Sequence, residues 1–234
     1  MIQIKPIDTV NHTTSDYYGF VRKDIAPLLP DRADRILEVG AASGATLKWL
    51  KSIFPGAVTT GVELNEQMRP LLSQNVDRAI IGNIDDNISS LETYDLILLL
   101  DVLEHLDDPV GVLRRLGEKL NDNGTVIVSL PNVAHLSISL PLLLFREFEY
   151  QDSGILDRTH KRFFTDKSAV ALLNDACLSV SKGVMIGMQG PKSKFINLIS
   201  FGFLKHHLAK QYLMCGVKAP EPRKQDTVNW VCES

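Results

Sequence analysis

Apolar runs of strand length alternate with helical patterns along most of this 234-residue chain. Five runs rich in aliphatic residues predict strands, at residues 35–39, 58–62, 78–81, 95–100 and 125–130. Helices are predicted between them, at 45–54, 66–74 and 109–120. Because parallel strands require crossover connections, this alternation predicts a doubly wound α/β fold with a mainly parallel sheet.

The C-terminal third predicts the elements that complete such a sheet. A helix at 166–176 precedes a sixth strand at 178–186, and a helix over 194–208 leads to an antiparallel strand within 209–220. Residues 219–234 are interpreted as a loose tail, in which TVNWVC has the pattern of an added edge strand. With a predicted N-terminal helix at 15–30, we expect residues 1–234 to form one domain.

One connection is too long for a simple strand-to-helix link. Residues 132–165 join the fifth strand to the next helix and contain the apolar run LSISLPLLLF, with Pro141 in its middle. The run is too short to cross a bilayer. We interpret this segment as a lid insertion packed on the core, and a homodimer contact or a surface for a lipid-linked substrate stays open.

Composition narrows the cellular setting. A hydrophobic content of 44% suits a substantial core, and a net charge of −3 gives no electrostatic footprint for nucleic acid. Cys177, Cys215 and Cys232 lack CxxC spacing, and the N-terminus MIQIKPIDTV lacks the apolar core of a secretory signal. We therefore expect a cytoplasmic protein without a transmembrane segment. No metal site is expected, because the acidic pairs at 85–86 and 107–108 have the pattern of helix caps.

The segment ILEVGAASG, residues 36–44, carries the first chemical signal. A strand-like run delivers Glu38 and then breaks into a turn of small residues with Gly40 and Gly44. Glycine lets a ligand approach the backbone, and the following helix directs free N–H groups to the same place, although a tight structural turn has this pattern too. Glu63 ends the second strand 23 residues after Gly40, where an acidic residue can bind ribose hydroxyls. The residues alone leave NAD, FAD and S-adenosylmethionine open.

Five ordered blocks carry a family resemblance: ILEVGAASG, TGVELN, IIGNIDD, YDLILLLDVLEHLDDP and LNDNGTVIVSLPNVAH. Together they resemble the class I S-adenosylmethionine-dependent methyltransferases, over roughly residues 17–180. The resemblance implies a Rossmann-like sheet of seven strands with an antiparallel last strand, and S-adenosylmethionine as the cofactor. The family loop is usually E/DxGxGxG, and this chain has Ala42 at the middle glycine. The Gly-x-Gly-x-x-Gly spacing of nicotinamide enzymes is absent.

The resemblance also implies where the cofactor binds. Glu38 and Gly40 are expected under its methionine part, with Asp101 facing the amino-acid moiety. Glu63 is expected on the ribose, and Asn83 with Ile84 at the adenine edge. The full expected set is Glu38, Gly40, Ala42, Gly44, Glu63, Leu64, Asn83, Ile84 and Asp101. Tyr17 and Tyr18 match a leading helix that relatives fold across the cofactor.

Candidate catalytic residues lie at the end of the insertion. The block GILDRTHKRFFT resembles one in methyltransferases that tailor sugars and polysaccharides, where the histidine lies over the substrate pocket. His160 is a candidate base for a hydroxyl proton and Asp157 a candidate to orient it, although His160 could equally serve only to close the lid. His105, in LEHL, is the second candidate and His135, in PNVAH, the third.

These patterns lead to one expectation and three alternatives. We expect an enzyme, a transferase that moves the methyl group of S-adenosylmethionine to an oxygen of a sugar or glycan-linked acceptor. A methyltransferase acting on another small or lipophilic molecule is the first alternative. An NAD(P)-dependent Rossmann oxidoreductase and a non-catalytic cofactor-binding partner are the others.

Overall fold

A computed structural model describes residues 20–221 and 228–233. Its sheet contains β1 Arg35–Val39, β2 Val58–Glu63, β3 Arg78–Ile81, β4 Tyr94–Leu100, β5 Leu120–Pro131, β6 Leu178–Ile186, β7 Gln211–Lys218 and β8 Trp230–Cys232. The strand order is β3-β2-β1-β4-β5-β7-β6-β8. Strands β1 to β5 are parallel, β7 is antiparallel to both β5 and β6, and β8 is parallel to β6. The predicted α/β class and the antiparallel β7 are confirmed.

Helices connect these strands. They are α1 Ala45–Ile53, α2 Arg69–Asn75, α3 Ile84–Asn87, α4 Pro109–Glu118, α5 Leu136–Phe145, α6 Asp166–Asp175, α7 Pro191–Ile199 and α8 Lys205–Leu208. Short 3₁₀ helices occupy Lys23–Leu28, Glu66–Met68, Ile88–Ser90 and Leu103–His105. Within the described ranges, no helix is long and apolar enough to cross a membrane.

The central strands are buried on both faces, as their continuous apolar runs require. In β4, Ile97 and Leu99 point into a core shared with α4 and α6, whereas Leu96, Leu98 and Leu100 point into a core shared with α1 and α2. Successive side chains of a strand alternate between faces, so one run supplies both cores. The carboxyl ends of β1, β2 and β4 therefore meet along one edge of a rigid sheet.

The structure corrects the predicted strand count and two boundaries. The sheet has eight strands because Trp230–Cys232 pairs with β6, so part of the predicted loose tail is an edge strand. The predicted turn at residues 123–124 lies inside β5, where the register shift opposite residues 94–96 accommodates it as a bulge. The predicted helix over 194–208 is broken between α7 and α8, because Phe201 and Gly202 adopt left-handed φ angles of 49° and 78°.

The insertion between β5 and α6 contains one helix, α5, followed by irregular chain as far as Thr165. Pro141 lies inside α5, and His135 caps it by accepting a hydrogen bond from the N–H of Ser137 (3.2 Å). The predicted N-terminal helix is represented by the 3₁₀ helix Lys23–Leu28, while Tyr17 and Tyr18 lie outside the described residues.

Candidate active site

The loop after β1 is held in an unusual backbone conformation. Gly40, Ala42 and Gly44 all have positive φ, at 72°, 46° and 76°. A Cβ on Gly40 would lie 2.7 Å from a methyl carbon of Val102, so this position requires glycine for packing as well as for backbone freedom. Ala42 has a left-handed backbone at the position where the E/DxGxGxG pattern has glycine. A residue with a Cβ is strained in this conformation.

Glu63 connects this loop to the end of β2. Its Oε2 accepts a hydrogen bond from the backbone N–H of Ala42 (2.8 Å), and its Oε1 accepts one from Asn65 (2.8 Å). Both bonds come from main-chain groups and fix the carboxylate at the mouth of the loop. Each carboxylate oxygen accepts more than one hydrogen bond, so Glu63 retains capacity for a hydroxyl ligand.

Two cavities meet at this loop. The larger, of about 1020 Å³, is lined by Glu38, Gly40, Ala42, Glu63 and Asp101 among others. The smaller, of about 360 Å³, has Gly40, Glu63 and Asp101 in its wall as well. The two cavities are therefore adjacent, and Glu63 borders both of them.

Glu38 lies at the floor of the larger cavity with an unpaired oxygen. Its side chain is buried, and Oε2 has no hydrogen-bond partner among the described residues. Burial raises the pKa of Glu38 to about 8, with the positive charge of Arg22 opposing that rise and Glu63 adding to it. A cationic group entering the cavity would give Glu38 the partner that it lacks and favour its ionised form. The ammonium of a methionine moiety has this chemistry.

Asp101 is fixed at the end of β4 by three other elements. Its carboxylate accepts hydrogen bonds from Arg22 (2.6 Å), Ser129 (2.9 Å) and the side-chain amide of Gln211. Its φ of 59° is left-handed, a conformation that aspartate tolerates better than most residues. Arg22 also donates to Asp24 (3.0 Å), so a buried guanidinium lies at the same end of the cavity. A ligand carboxylate could displace one of these acidic partners.

The smaller cavity contains the predicted adenine-binding residues. Leu64, Asn83 and Ile84 all line it. Leu64 is 73% exposed, so its side chain is available to cover a ring. The Asn83 side chain accepts a hydrogen bond from the N–H of Asp85 (3.1 Å) and caps α3, which explains an amide at this position. Gly44 lines neither cavity; it caps α1 and packs on α2.

A second cluster lies beside the smaller cavity. The rings of His105 and His160 are in edge contact, with centroids 4.8 Å apart. Glu104 Oε1 lies 4.0 Å from His160 Nε2, and these side chains are 1% and 7% exposed. The insertion is tied to this place by the backbone, because the N–H groups of Lys161 (2.8 Å) and Arg162 (3.1 Å) donate to the carbonyl of Glu104. The structure thus brings together His105, His160 and Asp157, the three predicted catalytic residues.

Both histidines contact a backbone carbonyl through Nδ1, and their Nε2 atoms lie in different surroundings. His160 Nδ1 lies 3.1 Å from the carbonyl oxygen of Ile155, and His105 Nδ1 lies 3.3 Å from that of Thr159. A carbonyl only accepts, so each Nδ1 carries the proton and each neutral ring has its lone pair on Nε2. His105 lines the smaller cavity, whereas the Nε2 of His160 faces Glu104.

Asp157 acts on His105 through Thr159. The Thr159 hydroxyl donates to Asp157 Oδ1 (2.6 Å) and lies 3.2 Å from His105 Nδ1. Burial opposes ionisation of Asp157, yet the hydrogen bonds from Thr159 outweigh it and lower the pKa of Asp157. Burial lowers the pKa of His105, partly offset by its hydrogen bond to the Thr159 backbone. His105 is therefore neutral and oriented near pH 7.

Glu104 is the buried acid of this cluster. Neither carboxylate oxygen has a hydrogen-bond partner among the described residues, and burial raises the pKa of Glu104 to about 8, with Asp101 adding to the rise. Glu104, His105 and His160 have the donor set of a transition-metal site, and their ligand atoms lie within 4.8 Å of one another. Zinc lies about 2.0–2.2 Å from its nitrogen and oxygen ligands, so two ligand atoms 4.8 Å apart are too far from each other to bind one ion. These side chains would have to move closer together to hold zinc.

Sequence reasoning missed Arg22, Glu104, Thr159 and Gln211. Glu104 stands in DVLEHL next to a predicted base, and a charged residue in an otherwise apolar run was a usable signal. Arg22 and Gln211 lie 79 and 110 positions from Asp101, and nothing local to them indicates that contact. His135 caps α5 and is not part of the histidine cluster.

Comparison with known proteins identifies the family of this chain. A family model described as a methyltransferase domain matches residues 13–180. The chain belongs to the class I S-adenosylmethionine-dependent methyltransferase family. The predicted family and its Rossmann-like fold are thereby confirmed, and the family's cofactor, S-adenosylmethionine, suits the cavity around Glu38 and Glu63.

Curated relatives match over part of this chain. A ubiquinone biosynthesis O-methyltransferase of Azorhizobium caulinodans is 30% identical over 139 residues, covering 53% of this chain and 54% of the relative. A malonyl-[acyl-carrier protein] O-methyltransferase of Bacillus anthracis is 29% identical over 126 residues, covering 49% and 47%. The chain thus spans about half the length of the curated relatives it matches.

Solved structures share the fold of this chain. A SAM-dependent methyltransferase of Archaeoglobus fulgidus superposes with a TM-score of 0.62 at 16% identity, covering 84% of this chain and 91% of the other. The O-methyltransferase of a polyketide synthase multienzyme of Brevibacillus brevis, determined with S-adenosyl-L-homocysteine, has a TM-score of 0.57 at 15% identity, covering 85% and 71%.

Proposed function

We propose that this methyltransferase transfers the methyl group of S-adenosylmethionine to a hydroxyl oxygen, with His105 as the general base. The observation that carries the proposal is the position of His105 in the wall of the smaller cavity, which it shares with Gly40, Glu63 and Asp101. A base within reach of the cofactor is needed when the nucleophile must lose a proton.

The cofactor supplies an electrophilic methyl group on a sulfonium, and the chain supplies the binding and the base. Glu38 would hold the ammonium and Glu63 the ribose hydroxyls. As the methyl group goes to the acceptor oxygen and S-adenosylhomocysteine leaves, His105 Nε2 would take up the hydroxyl proton. Thr159 and Asp157 hold the ring in the tautomer that can receive it. Most of the rate acceleration would come from aligning the acceptor with S-adenosylmethionine.

In this proposal His160 is a positioning residue. Its ring is almost completely buried and faces Glu104, so it has little room to touch an acceptor. If either side chain moved closer, the carboxyl group of a neutral Glu104 would donate a hydrogen bond to His160 Nε2. His160 also contacts Phe163, with ring centroids 6.3 Å apart, and so ties the end of the insertion to the histidine cluster.

The proposed acceptor is a sugar or a glycan-linked hydroxyl. Support comes from the block GILDRTHKRFFT, which resembles sugar-tailoring methyltransferases and contributes both Asp157 and His160 to the cluster. The relatives named above are O-methyltransferases, which favours oxygen as the methylated atom. A lipophilic acceptor is the second candidate, and the exposed apolar surface of α5 favours it.

Binding and turnover measured on the purified chain test the proposal. We expect S-adenosylmethionine to bind in calorimetry without detectable NAD(H) binding, and a panel of sugar, glycan and lipophilic alcohols to yield S-adenosylhomocysteine with at least one acceptor. Binding of NAD(H) alone would replace the proposal with an oxidoreductase. Binding of S-adenosylmethionine without transfer to any acceptor would identify a non-catalytic partner.

A further inference from the structure

Helix α5 is apolar on every side and yet lies at the surface. Of its ten residues, LSISLPLLLF, only Ile138 is buried. Leu143, Leu144 and Phe145 are exposed at the end of the helix. A helix that is hydrophobic all round is normally buried in a protein core or a membrane, so the surroundings of α5 are incomplete in the isolated chain.

Helix α7 also lies at the surface with exposed apolar residues, but these residues occupy one face of the helix. Phe195, Leu198 and Ile199 are exposed and fall on one face at helical spacing, and no residue of α7 is buried. Lys192 and Lys194 flank this apolar stripe, one on each side at 100° per residue. Lysines in this arrangement can extend toward headgroups while the stripe enters an apolar phase.

The turn after α7 projects two aromatic side chains outward. Phe201 is 96% exposed and Phe203 is 91% exposed. The left-handed backbone at Phe201 and Gly202 makes this turn and ends the helix. Aromatic side chains with so little intramolecular contact have no role in the stability of the fold.

Helices α5 and α7 contact the same part of the protein core. Leu136 of α5 and Ile196 of α7 pack against the same small core around Met185 and Tyr212. His207 Nδ1 lies 2.9 Å from the carbonyl of Ala134, which joins the α8 end of one segment to the start of the other. We name Leu136–Phe145 together with residues 191–210 the apolar-basic face.

The charge of the apolar-basic face is one-sided. Leu136–Phe145 has no charged residue, and residues 191–210 have no aspartate or glutamate but four lysines, Lys192, Lys194, Lys205 and Lys210. This contrasts with a whole chain of net charge −3. A second copy would bring the same lysines against each other across a two-fold interface, which is unfavourable. An anionic lipid surface complements both the apolar and the basic parts.

We propose that the apolar-basic face docks this protein peripherally on an anionic lipid bilayer. The proposal does not depend on methyl transfer. Residues 191–210 of this face belong to the connection between β6 and β7. The adjoining ends of these two strands, Ile186 and Gln211, line the larger cavity. Docking would therefore place the membrane next to the active-site cavity, where an acceptor carried by a lipid can reach it.

Sedimentation with vesicles tests this proposal on the full chain. We expect the protein to sediment with vesicles of phosphatidylcholine and phosphatidylglycerol. Its partition coefficient should be at least about tenfold lower for vesicles of phosphatidylcholine alone, and also for the anionic vesicles at high salt. The double substitution Phe201→Ser with Phe203→Ser should reduce binding to the anionic vesicles by at least about tenfold. The pair Lys192→Glu with Lys194→Glu should do the same while leaving thermal unfolding unchanged.

Matched substitutions elsewhere control for general surface effects. Leu71→Ser removes an exposed leucine from α2, and Lys48→Glu reverses an exposed charge on α1; both should bind anionic vesicles as the wild type does. Equal sedimentation of the wild type and the Phe201/Phe203 variant would overturn the proposal. So would a dimer in analytical ultracentrifugation that dissociates on these substitutions while no variant or wild type binds vesicles, because the occupant would then be a second copy.

Discussion

Glu104 Oε1 lies 4.0 Å from His160 Nε2, and 56 residues of sequence separate these two almost completely buried side chains. The contact joins the end of β4 to the end of the insertion and places a buried acid behind the two histidines. It separates the roles of the histidines, because His160 faces the acid and His105 faces the cavity. Substitutions of the two histidines should therefore have different effects.

His105→Ala should reduce the single-turnover rate of methyl transfer by roughly 10²–10⁴ while S-adenosylmethionine affinity is retained. Because the neutral ring is the base and burial lowers the pKa of His105 below 6.5, the wild-type rate should be full at neutral pH and fall only as the pH drops below that lowered value. Rapid-quench kinetics across pH on a true acceptor measures both quantities.

His160→Asn is the matched comparison for His105→Ala. It should raise the acceptor KM more than it lowers the single-turnover rate, since the lost ring positions the insertion. If His160→Asn instead removes the chemical step and His105→Ala does not, the base is His160, as the sequence alone also allowed.

Glu63→Ala should weaken S-adenosylmethionine binding by at least about tenfold, roughly 1.4 kcal/mol, because hydrogen bonds to a charged group are lost and the Ala42 N–H loses its acceptor. Calorimetry on the folded variant measures it. Glu66→Ala, three residues on and exposed, should leave the affinity unchanged. Equal affinities for the two variants would remove Glu63 from the site.

Ala42→Gly should preserve or raise the melting temperature, against the usual cost of about 0.5–1 kcal/mol for this exchange in a helix or strand. The reason is the φ of 46°, which glycine adopts without strain and alanine does not. Ala45→Gly, in the first turn of α1, provides the control and should lower the melting temperature. A comparable loss in both variants would show that the loop is unstrained.

Glu104→Gln should alter stability in a pH-dependent way. The unfolded carboxyl has an ordinary pKa of 4.5 and the folded one about 8, so the folded chain binds the extra proton between these values. The contribution of Glu104 to stability is therefore full below pH 4.5 and declines as the pH rises through 8. An amide does not titrate, so the free energy of unfolding of the variant minus that of the wild type should be larger at pH 8 than at pH 5 by at least about 1 kcal/mol, in the direction of a relatively more stable variant.

Chemical denaturation at the two pH values measures this difference. Glu118→Gln, on the exposed side of α4, should show none. A pH-independent difference for Glu104→Gln would mean that the pKa of Glu104 is not raised in the folded protein.

The order of apolar runs and turns predicted the parallel part of the sheet and the loops at its carboxyl edge. A run as short as 95–100 is typical of a strand buried on both faces, and parallel strands bring their ends together, so Gly40, Glu63 and Asp101 were predictable neighbours. The eighth strand was only suggested by its pattern, because pairing of Trp230–Cys232 with β6 depends on a distant edge being free.

Which polar side chains meet depends on how distant segments pack in the folded chain. The contacts of Asp101 with Arg22 and of Glu104 with His160 join positions far apart in sequence, and no local periodicity encodes such distances. The same limit applies to α5, whose apolar run predicted a packed lid. The structure leaves that helix exposed, because burial depends on what surrounds a helix as much as on its own residues.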